Sequence, residues 1–114
     1  MSVSETSAFS ALADDTRRGI VMLLAKRGEL PASQISRNFD MSAPAVSQHL
    51  KILKACNVIR MKKQAQMRLY SVNAEGLDEM EKWLSDVRRL WEKRFHALDA
   101  YLIKLKKERN TGKA

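Results

Sequence analysis

The chain is poor in the residues from which reactive sites are usually built: of 114 residues, one is cysteine, two are histidine, two proline and four glycine. A single thiol, Cys56, closes no internal disulfide and supplies no thiolate metal site alone, which excludes disulfide scaffolds and zinc fingers. There is no glycine-rich phosphate loop, and no nucleophile, base and orienting group stand at a plausible catalytic spacing. An enzyme is therefore not expected, and no cofactor or metal is assigned. No apolar run approaches the roughly 18 residues needed to span a bilayer. Residues 1–6 carry neither the basic cluster nor the apolar segment of a targeting peptide, so a cytoplasmic protein without a membrane partner is the expectation.

Carboxylates are missing from one long stretch. Residues 1–41 hold five basic and five acidic side chains, and residues 74–114 hold ten and eight. Between them, residues 42–73 hold six basic ones (Lys51, Lys54, Arg60, Lys62, Lys63 and Arg68) and no acidic one. Most of the net charge of +8 therefore sits in 32 residues. Duplex DNA places a negative charge about every 1.7 Å along its axis, which makes this stretch a candidate polyanion surface. A solvated basic face with no partner is the plainer alternative. A chain this short buries only about two-thirds of its unfolded surface, so a second copy is expected to share apolar surface left over.

The apolar periodicity gives the elements. Asp14-Asp15-Thr16 caps a helix with Ile20, Leu23 and Leu24 on one face, and Gly28 stops it. Pro31 fits the first turn of a shorter helix holding Ile35 and Phe39. After a turn of about three residues, Ser42 caps a second helix with Pro44 in its first turn and Val46, Leu50 and Leu53 facing inward, ended by Asn57. Two helices so joined form a helix-turn-helix. Beyond Asn57 the period changes to two, and Ile59-Met61 and Leu69-Ser71 flank a polar tip at Gln64-Ala65-Gln66, a short β-hairpin or wing. Ala65 is a poor hairpin residue, so a longer or disordered tip is expected.

The last stretch is helical again. Leu77, Leu84, Trp91, Leu98 and Leu105 stand seven apart, with Met80, Val87 and Tyr101 between them and Arg94, beside Phe95, in the one polar d-like position. The pattern predicts a helix over residues 75–107, about 50 Å long at 1.5 Å per residue. Part of its stripe is expected to meet a partner chain, the alternative being a core helix with a frayed end. The fold expected is mainly α (α+β): a winged helix-turn-helix with a short β-hairpin wing and a long C-terminal dimerisation helix. Residues 1–107 form a single domain in this reading, and residues 108–114 a flexible basic tail.

Three runs resemble the ArsR-type winged-helix repressors of bacteria: Ala11-Leu12-Ala13-Asp14-Asp15-Thr16-Arg17-Arg18, then Met41-Ser42-Ala43-Pro44-Ala45-Val46-Ser47-Gln48-His49-Leu50-Lys51-Ile52-Leu53, and Arg68-Leu69-Tyr70. The likeness extends from about Phe9 to Tyr101. It implies a homodimer built on the first and last helices, binding pseudo-palindromic operator DNA and repressing transcription. On that basis Phe9, Leu12, Leu84, Val87, Trp91, Phe95, Leu98, Tyr101 and Leu102 are the interface candidates. Metal-sensing members carry Glu-Leu-Cys-x-Cys-Asp-Leu where this chain has Glu29-Leu30-Pro31-Ala32-Ser33-Gln34-Ile35, so both thiolate positions are lost. The nearest match to the family's other metal site is His96 with Asp99, too few ligands for a tetrahedral site. With Trp83, Trp91 and Tyr101 in a long last helix, the chain resembles the subgroup without a metal site. The usual Gly-Arg wing tip corresponds to Ala65-Gln66.

A recognition helix lies in the major groove with its N-terminal half toward the base edges, which makes Ser42, Ala43, Pro44, Ala45, Ser47, Gln48 and His49 the candidate contacts. Gln48 can pair bidentately with adenine. Ala43 and Ala45 permit close approach, and Ser42 and Ser47 suit phosphates at a helix N-terminus. His49 matches a family contact position but is equally suited to a structural role. Lys51, Lys54, Arg60, Lys62, Lys63 and Arg68 are expected on phosphates. Arg17 and Arg18 follow the acidic cap and suit either helix packing or a backbone contact; Cys56 reads as a small core residue. The competing readings are a ligand- or metal-responsive sensor of the same fold, and a helical protein-interaction module without DNA binding.

Overall fold

Asp14 opens the first long helix, because its carboxylate accepts the backbone N–H of Arg17 at 3.0 Å and so satisfies one of the unpaired donors at the helix start. In this computed structural model, which describes residues 7–111, that helix is α2 (Asp15–Arg27). It ends at Gly28, whose φ of 84° suits a residue without a side chain. Before it lies a four-residue helix, α1 (Ala8–Ala11), capped by the Ser7 hydroxyl accepting from Ser10 N. Helix α3 (Ala32–Arg37) follows, then α4 (Ala43–Ala55). Pro31 is the N-cap of α3 rather than a member of its first turn, and Phe39 lies past its end. Five residues, 38–42, join α3 to α4, two more than expected.

Asn57 ends the α4 region in the left-handed conformation (φ 60°) that asparagine tolerates, and it turns the chain into the hairpin. Strands β2 (Ile59–Gln64) and β3 (Met67–Val72) pair antiparallel from Ile59↔Val72 to Gln64↔Met67, so only Ala65 and Gln66 form the turn. The longer tip expected is thereby corrected: Ala65 itself takes φ 56°, a conformation costing an L-residue about 1–2 kcal/mol, held in place by strands paired up to the turn. A third strand, β1 (Leu30–Pro31), pairs with β3 on its other edge, giving the order β1-β3-β2.

The core is formed by Ile20 and Leu24 of α2, Ile35 of α3, Val46, Leu50 and Leu53 of α4, and Val58 and Ile59 at the hairpin's base, all buried. Leu12, Tyr70, Val72, Leu77 and Met80 pack against its edge. Burying a side chain of this size stabilises by about 1.5–3 kcal/mol. Alternation along β2 and β3 leaves Met61 and Tyr70 on the core-side face as well, with Lys63 and Arg68 next along that face toward the tip.

After β3 a 3₁₀ turn (Ala74–Leu77) leads into α5 (Asp78–Thr111). Asn73 anchors this passage, its amide donating to Asn57 O and its backbone N–H to Val58 O, each at 2.9 Å. The helix therefore starts at Asp78, not at 75, because residues 74–77 are wound more tightly against Asn57. It also continues past 107 to Thr111, through part of what was expected as tail. The chain divides into two compact units, one through Met80 and one from Glu81 onward.

Gly76 approaches the Asn57 backbone so closely that an added Cβ would stand 1.7 Å from its carbonyl oxygen. Backbone cannot yield as a flexible side chain can. Gly76→Ala is expected to destabilise the first unit by about 3 kcal/mol, the upper end of the overpacking range, read as a lowered urea midpoint.

Candidate nucleic-acid interface

Helix α4 is oriented by its buried face. With Val46, Leu50 and Leu53 held in the core, residues three and four apart on the opposite side, Pro44, Ser47, Gln48 and Lys51, stand in solvent. Ser42, Ala43 and Lys54 are exposed as well, and Ala45 is half-buried. The Ser42 hydroxyl accepts from Ala45 N at 3.3 Å, and Pro44 brings no N–H of its own. In the first turn this leaves the Ala43 N–H at the positive end of the helix dipole, which favours an anion there.

The hairpin divides the basic residues into two sets. Arg60 reaches Glu75 at 3.6 Å and Lys62 reaches Glu29 at 3.5 Å, so the stretch without carboxylates is met in space by two from outside it. Both pairs are exposed and each is worth at most about 1 kcal/mol, so a phosphate can displace either carboxylate. Lys51, Lys54, Lys63 and Arg68 have no ion pair among the described residues. Lys63 and Arg68 are direct cross-strand partners. Like charges placed opposite each other destabilise a sheet, and an anion between them would relieve that repulsion.

His49 is only half-buried, 20% of its side chain remaining exposed, and its Nδ1 faces inward. That atom lies 3.5 Å from Nη1 of Arg17 and 4.0 Å from Oδ2 of Asp14. Arg17 also donates from Nε to Ala11 O at 2.6 Å and from Nη2 to Ser10 O at 3.4 Å. Arg18 donates from Nη1 to Leu12 O at 2.7 Å and pairs with Asp15. Both arginines thus donate to the carbonyls at the end of α1, a role in helix packing that sequence spacing left open.

The Asp14 carboxyl is held below its ordinary value, chiefly by the Arg17 backbone N–H, with the charge of Arg17, and that of His49 when its ring is protonated, adding to the effect. A depressed carboxyl value stabilises the fold above the unfolded value and loses that contribution as pH falls through the folded one. Asp14→Ala is therefore expected to cost about 1 kcal/mol at neutral pH, as for other N-caps. The gap from wild type should narrow as pH falls through the folded Asp14 value, which lies below the ordinary carboxylate range, because the wild-type carboxyl is then itself protonated; urea titrations across pH measure it.

Helix α5 carries the apolar stripe. Leu84, Val87, Trp91, Phe95, Leu98, Tyr101 and Leu102 are all exposed, and Trp91 and Phe95 stack tilted with ring centroids 6.2 Å apart. Of the other interface candidates, Phe9 is half-buried, and Leu12 packs partly against the first unit's own core.

Residues 14–60 match the model of the bacterial regulatory protein, arsR family. The chain is 39% identical over 88 residues to the HTH-type transcriptional regulator Rv2034 of Mycobacterium tuberculosis, covering 77% of this chain and 78% of that one. The chain belongs to the ArsR family. This ArsR protein is also 38% identical over 78 residues to the transcriptional repressor SdpR of Bacillus subtilis, covering 68% of this chain and 86% of that one. Its fold aligns with a crystal structure of an ArsR family transcriptional regulator at a TM-score of 0.67 and 36% identity, over 74% of this chain and 86% of the other. ArsR-family proteins of this kind are DNA-binding transcriptional regulators, a class distinct from enzymes.

The residues of this ArsR protein do not fit the metal that sensing members of the family hold. Pro31 is spent on β1 and the N-cap of α3, and Ser33 is an exposed hydroxyl, so neither offers a soft donor. Among the described residues no three of His, Cys, Asp or Glu converge, His96 and Asp99 included. Among the described residues no helix is long and apolar enough to cross a membrane.

Proposed function

We propose that this protein is a homodimeric, sequence-specific DNA-binding repressor that sets α4 in the major groove and the hairpin on the backbone. One observation carries the reading: an exposed face of α4, with Ser42, Ser47 and Gln48 at its N-terminal end, shares the first unit with a wing whose tip pairs two cations. Gln48, on a helix fixed by its buried side, is the base reader, and Ala43, Pro44 and Ala45 let the helix approach closely. Ser42 and Ser47 take phosphate oxygens. Lys51, Lys54, Lys63 and Arg68 position the duplex without specifying it, and Arg60 and Lys62 join them by exchanging carboxylate for phosphate. SdpR, a relative matched over 86% of its own length, carries the name of a transcriptional repressor. Two copies joined through the α5 stripe read an imperfect palindrome with half-sites roughly 10 to 11 base pairs apart, centre to centre.

Gln48→Ala and Lys63→Ala separate the two kinds of contact. Gln48→Ala should cost about 1–3 kcal/mol of discrimination at one position of each half-site while leaving non-specific binding unchanged. Lys63→Ala should weaken all duplexes alike and reduce the salt slope by about 1 for each phosphate released. Gel shifts on selected and scrambled duplexes read both effects, and equal losses on both duplexes for both variants would overturn the assignment.

A further inference from the structure

We propose that Arg17 is a positioning residue for the recognition helix α4: it engages the Nδ1 lone pair of His49, fixes the imidazole proton on Nε2, and leaves Nε2–H as the ring's donor to duplex DNA. The inference rests on the DNA-binding reading above. A guanidinium has donors only, so the approach of Nη1 to Nδ1 at 3.5 Å is attractive when Nδ1 presents a lone pair. Arg17 is the fixed member of this pair. Its Nε and Nη2 are held by the carbonyls of Ala11 and Ser10, and its own backbone N–H by Asp14.

Asp14 competes for the same ring nitrogen. Its Oδ2 lies 4.0 Å from Nδ1, farther than Arg17, and already accepts the Arg17 backbone N–H. A proton on Nδ1 would turn toward Asp14 and face the guanidinium, so the nearer, better-anchored group selects the Nε2–H form. The ring then joins α1, the start of α2 and α4 through one side chain, and His49 keeps part of its surface in solvent. This reconciles the two roles open to His49: its inner nitrogen is structural and its outer nitrogen is free to bind.

Nitrogen-15 NMR of the uniformly labelled full chain, at about pH 8.5 where free imidazole is neutral, reads the tautomer without DNA. Nε2–H is the expected form; Nδ1–H overturns the proposal. The second arm uses a duplex that the wild-type protein selects from a random pool. His49→Ala should weaken binding to it about tenfold, the worth of one hydrogen bond to a charged group. His49→Gln, whose amide nitrogen reaches the place of Nε2, should retain most of that affinity. Arg17→Gln should lose as much as His49→Ala, and the double variant no more; additive losses overturn the proposal. Should Arg17→Gln fail to fold, Arg17→Lys replaces it, since one ammonium cannot span both carbonyls and the ring. A wild-type protein that selects no duplex overturns the DNA-binding reading and the donor role with it, whereas the ring spectrum compared between wild type and Arg17→Gln decides whether Arg17 sets the ring: an Nε2–H signal unchanged in the variant overturns that part.

Discussion

Trp91→Glu and Leu98→Glu are each expected to convert the protein to monomers and to weaken binding to a palindromic duplex by about 10²–10⁴-fold. Within one chain Trp91 is 59% exposed and Leu98 52%, so neither substitution removes a core contact and the helical circular dichroism should be unchanged. In a pair of chains the same positions would bring two carboxylates into an apolar seam, unpaired and of like charge, a burial that proteins avoid. The loss in DNA affinity follows from valency: without the dimer, the second half-site must be bound by a separate molecule, at the cost of the effective concentration the linkage supplies. Ile103→Glu is the control. Ile103 is also exposed but stands about 140° around the helix from Leu98, at 3.6 residues per turn, and the dimer should survive it. Sedimentation velocity decides, and an intact Trp91→Glu dimer would remove the α5 stripe as the interface.

Salt should act at least as strongly. Lys51, Lys54, Lys63 and Arg68 give a dimer eight cations without a carboxylate partner among the described residues. At a slope of about −0.9 per neutralised phosphate, affinity should fall by about four orders of magnitude between 50 and 200 mM salt. Arg60 and Lys62 add less, because each exchanges one anion for another. A helical protein-interaction module of the same fold would show no such dependence, so fluorescence anisotropy at four or five salt concentrations separates the two readings.

The elements that could be read in the sequence are those whose signal is local. Gly28 and Asn57 stand where the chain needs positive φ, and both take it. Val46, Leu50 and Leu53 repeat at helical spacing, and all three are buried. Elements too short to show a period were missed. The four residues of α1 complete about one turn, and Leu30-Pro31 cannot alternate, so β1 exists only because β3 offers an edge to pair with. The tight wing tip escaped for a different reason: the pairing of the two strands outweighs the preference of Ala65, and pairing energy is not a property of the turn sequence.

The candidate interface divides in the same way. Counting charges along residues 42–73 finds the basic stretch but says nothing of Glu29 and Glu75, which fold onto it from outside the window. For His49 the sequence leaves two roles open, since its neighbour Arg17 lies 32 residues away along the chain. Distances of that kind are set by the packing of α2 on α4. The Asp14-Asp15-Thr16-Arg17 run looked like a helix cap, and it is one; that its arginine also closes the preceding helix required the fold.

The placement of the apolar stripe also orders events during synthesis. Every residue of the first unit's buried core lies at or before Ile59, and the side chains packed on its edge end at Met80, whereas Trp83 to Leu105 are translated afterward. Chains fold from the N-terminus as they are made. The unit bearing α4 and the wing therefore has its whole described core available before the exposed apolar stripe of α5 is made, so that stripe is not yet present while the first half of the chain is still unfolded.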